Sequence, residues 1–82
     1  MTKNLHIIDW CERLNAGDDI ETIVIEIGKE CDRLKNQRET IGNQTIILIV
    51  NYSTLVGMIV MHELAKQHCP GWNFKFSPVF FP

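Results

Sequence analysis

The sequence predicts a mainly α-helical fold, with about three helices in one domain over residues 1–82 and an extended aromatic C-terminal tail. Three observations carry this. Apolar residues recur at helical spacing between residues 20 and 41. Glycines at 17, 42 and 71 break the chain between segments of helix length. Trp72, Phe74, Phe76, Phe80 and Phe81 crowd into the last eleven residues, behind a Cys69-Pro70-Gly71 stop.

The first helix is expected over residues 4–15. Ile7, Trp10, Cys11 and Leu14 are spaced three, four and seven apart and so share one face. Asn4 is a candidate cap. Asn15-Ala16-Gly17 marks the end, because glycine accepts the left-handed conformation that closes helices.

The second helix, Asp18 to Ile41, carries the clearest signal. Asp18 or Asp19 supplies a capping carboxylate at the positive end of the helix dipole. Ile20, Ile23, Val24, Ile27, Cys31, Leu34 and Ile41 fall in one stripe, with Arg38 on it and Ile25 off it. The opposite face carries Glu26, Lys29, Glu30, Arg33 and Lys35. Glu26–Lys29, Glu30–Arg33 and Asp32–Lys35 are opposite charges three apart. A short strand over Ile23–Ile27 is the competing reading, since Ile and Val favour strands. The stripe continues through Leu34 and favours helix.

Gly42 ends this segment, and Asn43 or Thr45 starts the next. No formally charged residue occurs from Thr40 to His62. As one helix, 46–68 is apolar nearly all round in its first half, with a polar side at Asn51, His62, Glu63 and Lys66 in its second. So apolar a helix needs cover on several sides. The alternative is a strand over 44–52, with Ser53 capping a helix from Thr54 to His68, which would make the fold α+β. Beyond the stop, alternation in Trp72-Asn73-Phe74-Lys75-Phe76 predicts an extended segment with one apolar side.

Composition excludes several functions. Net charge is −2, from eight basic and ten acidic residues, so there is no basic stripe for nucleic acid. Three widely spaced cysteines and a polar N-terminus predict reduced thiols in a cytoplasmic protein. The denser apolar run, Ile46–Met61, falls short of the roughly 20 residues of a spanning helix, so no stable membrane span is expected. His62 and His68 are six apart, on different helix faces, whereas a helical zinc motif needs four. His62 and Cys69 share a face, but two ligands make no site. No phosphate loop is present, and neither an enzyme, a metal nor a cofactor is expected.

What remains is protein binding. The candidate anchors are Trp72, Phe74, Phe76, Phe80 and Phe81, because large aromatics are favoured at interfaces. The competing reading folds these residues back to seal the core. A homodimer is a second expectation, since a chain this short leaves much apolar surface uncovered.

The length, the opening MTKNLHIIDWCERL and the Ile-, Asn- and Lys-rich composition resemble the RIII family of cytoplasmic antiholins of T-even phages. The resemblance covers the whole chain and rests on no catalytic or ligand motif. It implies a lysis-inhibition protein in the host cell cytoplasm that binds the cytoplasmic segment of the phage holin and delays lysis. No binding residue is implied at any position. Three other readings remain beside it: an anti-defence or host-takeover inhibitor of a bacterial protein, a small metal or thiol enzyme using His62, His68 and Cys69, and a membrane-associated protein using Ile46–Met61.

Overall fold

The computed structural model describes residues 5–36 and 42–81. Three helices, α1 (Leu5–Asn15), α2 (Ile20–Lys35) and α3 (Asn43–His68), are followed by an extended tail and a 3-10 turn at Pro78–Phe80. No strand occurs among the described residues, so the fold is mainly α with three helices. The strand alternative over 44–52 is replaced by continuous helix.

The breaks follow from local chemistry. Gly17 closes α1 with φ +82°, Asp18 N–H donating to Arg13 C=O and Gly17 N–H to Leu14 C=O. This pair of bonds is the Schellman closure that a left-handed glycine allows. Asp19 then caps α2: its Oδ2 accepts from the Thr22 N–H at 3.1 Å and from the Thr22 hydroxyl at 2.6 Å. Asp18 is turned to Arg13 instead. The helix ends at Lys35, capped by Asn36, short of the expected Ile41. Arg38 and Ile41 lie outside the described residues, as does Asn4.

The α2 stripe is as expected. Ile23, Ile27 and Leu34 are buried, Ile20, Val24 and Cys31 are half-buried, and Ile25 is exposed. They meet Ile7, Trp10 and Cys11 of α1 and Tyr52, Leu55 and Ile59 of α3 in one core. The Trp10 ring meets Tyr52 edge-on at 5.1 Å. Each fully buried aliphatic side chain here contributes about 1.5–3 kcal/mol.

Of the three expected ion pairs one forms, one is rearranged, and Asp32–Lys35 is absent among the ion pairs of the described residues. Glu30 pairs with Arg33 within α2, but Glu26 is taken by Arg13 of α1 rather than by Lys29. Arg13 reaches both Glu26 oxygens, at 2.9 and 2.7 Å, and Asp18 at 2.9 Å. A planar guanidinium held by three carboxylates, Asp9 at 3.4 Å being the third, outcompetes a flexible lysine on the same helix. The bonds to Glu26 and then Asp18 hold Arg13 protonated far above its ordinary value. The same bonds from Arg13 hold Glu26 and Asp18 below theirs.

Helix α3 has 26 residues, about 39 Å at 1.5 Å per residue, which accounts for the 47 × 24 × 18 Å shape. By length and composition Gln44–His68 is long and apolar enough to cross a membrane, longer than the Ile46–Met61 run suggested. In this fold 22% of that apolar stretch is buried inside the protein, at Asn51, Tyr52, Leu55 and Ile59, and the rest is half-buried or exposed. Of the expected polar side only Lys66 is exposed. Asn51 is only 4% exposed and His62 and Glu63 are half-buried, whereas Val50, Val60, Met61 and Leu64 meet solvent. The line Asn51, Leu55, Met58 and His62 faces inward because α2 and the aromatic tail pack there.

Candidate functional site

The tail is placed by two devices. The first is a turn over Cys69-Pro70-Gly71-Trp72. Trp72 N–H donates to Cys69 C=O at 3.0 Å, Pro70 holds the second position, and Gly71 takes φ +82° at the third. That is a type II turn, whose third position favours glycine. It reverses the chain so that the tail runs back along α3.

The second is Asn15. Its side-chain amide donates to Phe76 C=O and accepts from Phe76 N–H, both at 2.8 Å. The side chain pairs with the tail backbone as a neighbouring strand would. Asn15 entered the sequence reading only as part of a helix break. Its partner is 61 residues away, and no local pattern announces such a bond.

Between these two fixed points, Trp72, Phe74 and Phe76 turn toward α3, with Asn73 and Lys75 exposed. Burial deepens along the segment: Trp72 is 44% exposed, Phe74 half-buried and Phe76 4% exposed. His62 sits at the centre. Its ring lies 5.3 Å from that of Phe76 and 5.9 Å from that of Phe74, and its Nδ1 accepts the Trp72 indole N–H at 2.8 Å. The acceptor role requires Nδ1 to be unprotonated. Trp72 stacks on Phe74 at 6.2 Å, and Phe80 stacks on Phe74 at 6.1 Å.

The five expected anchors therefore divide. Phe76 is part of the core. Phe74 and Phe81 are half-buried and pack against the core, while Trp72 and Phe80 stay exposed. An aromatic side chain two residues further along the alternation sinks deeper because Asn15 draws the tail backbone onto the end of α1.

Beside the tail lies an open groove of about 360 Å³, lined by Met58, Met61, His62, Ala65, Trp72 and Phe74. Ala65 leaves the space that a longer side chain would fill. The methionines adapt to irregular apolar partners. On the other side of the tail is a more polar cleft of about 450 Å³, where Asn15, Lys66 and Lys75 are among the lining residues. The groove is thus apolar, and the cleft is lined by Lys75 of the tail and by Lys66 of α3, the latter paired with Glu63 at 3.2 Å.

The thiol and imidazole groups are otherwise engaged or dispersed. Cys11 is buried, Cys31 half-buried and Cys69 exposed, and burial pushes the Cys11 and Cys31 thiols up from their ordinary values. Cys69 N–H closes the end of α3 on Ala65 C=O. Among the described residues, no group of three or more His, Cys, Asp or Glu side chains is close enough to hold a metal ion.

Fold and surface together define a small helical protein with an adaptable apolar groove. No protein-family model, no curated protein and no solved structure matches the chain at a significant level.

Proposed function

We propose that this protein is a non-enzymatic binding inhibitor of the antiholin kind, which takes the cytoplasmic segment of a phage holin and delays lysis. The observation that carries the binding part is the open groove of Met58, Met61, Ala65, Trp72 and Phe74. A site lined with methionine and tryptophan suits the apolar face of an amphipathic helix. The holin part rests on the whole-chain resemblance to the RIII antiholins.

The groove gives the reading a physical form. Apolar residues of the holin segment enter between Met61 and Trp72. Acidic residues flanking them meet Lys75 across the tail, whereas Lys66 is paired with Glu63 at 3.2 Å. Holding that segment in the cytoplasm withholds it from the assembly that opens membrane lesions, and no bond is made or broken. The test is co-purification of the protein with the tagged holin cytoplasmic segment, run beside a host lysate. Retention of the segment, lost in Met61→Glu, supports the reading. A protein that captures a host component and ignores the holin segment sinks it in favour of a host-directed inhibitor.

A further inference from the structure

The face of α3 turned away from the core has no role in the groove or the fold. Ile46, Val50, Ser53, Gly57, Val60 and Leu64 lie along it, all exposed. Their spacing is four, three, four, three, four, the seam that one helix presents to another. The core positions Leu48, Tyr52, Leu55, Ile59 and His62 lie on the opposite side.

We propose that this face docks a second copy of the same chain, with the two α3 helices antiparallel about a two-fold axis that passes between Ser53 and Gly57, level with Leu55. The seam is symmetric about that residue. Turning it end for end sets Ile46 against Leu64, Val50 against Val60 and Ser53 against Gly57 of the copy. Each layer therefore matches large with large or small with small, as an isologous interface requires. Antiparallel pairing also sets the positive end of each helix beside the negative end of the other.

Extent and charge point to the same occupant. With Ile47 and Thr54 at its margin, the exposed side chains of this face run from Ile46 to Leu64, about five turns of α3. No charged side chain interrupts the seam, and the Thr54 hydroxyl already donates to Val50 C=O at 2.8 Å, so it enters an apolar contact without losing a partner. Lipid is the rival occupant, set against the packing of Tyr52, Leu55 and Ile59 of the same helix into the protein core.

The experiment is light scattering on the full chain at about 100 µM, well above the micromolar range of weak specific pairs, with the wild type, Val50→Glu and Val60→Lys. Both positions are half exposed, and unchanged far-ultraviolet circular dichroism verifies each fold. The wild type is expected at twice the 9.5 kDa chain mass and each variant at the single-chain mass. Mixing the two variants restores the dimer, because the carboxylate introduced into one chain then faces the ammonium introduced into the other. Ser53→Glu with Gly57→Lys gives a second pair should either valine variant lose its helical signal. A monomeric wild type, or variants that stay dimeric, overturns the proposal. Failure of both mixtures to pair overturns the antiparallel docking. Transfer of the wild type into phosphatidylcholine–phosphatidylglycerol vesicles as single chains overturns it in favour of lipid.

Discussion

Replacing Asn15 with alanine removes both hydrogen bonds that fix the tail to the end of α1. Each spans 2.8 Å in a partly buried setting. A net hydrogen bond contributes about 0.5–1.5 kcal/mol, and the released Phe76 amide groups lie beside a buried ring, so the pair is worth about 2 kcal/mol. Phe76 is itself part of the core, so the tail and the helices lose stability together. With a urea slope near 1 kcal/mol/M for a chain this small, the unfolding midpoint falls by about 2 M. Circular dichroism and tryptophan fluorescence should report the same shift. Asn15→Asp should be worse than alanine, since its second carboxylate oxygen faces Phe76 C=O and its charge adds to the negative end of α1. Asn73→Ala, on the exposed side of the tail, serves as the control. A midpoint for Asn15→Ala within about 0.3 M of the wild type, on that same slope, refutes the reasoning.

Other consequences are as direct. Asp18, Glu26 and Glu30 are held below their ordinary values by hydrogen bonds from Arg13 or Arg33, so each contributes stability that is complete above the unfolded carboxylate range of about pH 4 and is lost as pH falls through the folded values. Arg13→Gln should therefore lower stability at neutral pH and flatten the acid limb, and urea midpoints measured against pH would show the two proteins converging in acid. Gly71→Ala forces a side chain into φ +82° and should cost about 1–2 kcal/mol by thermal unfolding, although a Cβ there meets no atom within 4 Å. Alkylation followed by mass spectrometry should modify Cys69 first, Cys31 later, and Cys11 only on unfolding, because Cys11 is 1% exposed.

Much of the fold was legible because helices α1 and α2 state their faces locally. Ile20 through Leu34 repeat at helical spacing, and Asp19, Gly17 and Gly71 act within four residues of themselves. What the sequence hid was long-range. Glu26 has a lysine three residues on, yet the arginine of another helix takes it. Asn51, His62 and Glu63 looked like a solvent side of α3, but polarity along a helix does not say which side its neighbours occupy. The tail shows both conditions at once. Its alternation predicted one apolar side, and that side turns to α3, whereas the burial of Phe76 and the exposure of Trp72 depend on Asn15 and His62, remote in sequence. The groove was invisible for the same reason: Met58, Met61 and Ala65 become a site only when Trp72 and Phe74 are laid beside them.

The proposed function stands on the groove between α3 and the tail taking an amphipathic segment of the holin. Methyl-labelled nuclear magnetic resonance on the methionines tests this most directly. Titration with the holin's cytoplasmic peptide should shift the Met58 and Met61 methyl signals and the Trp72 indole N–H together. Unmoved Met58, Met61 and Trp72 signals at saturating peptide, or binding undiminished in Met61→Glu, would contradict it.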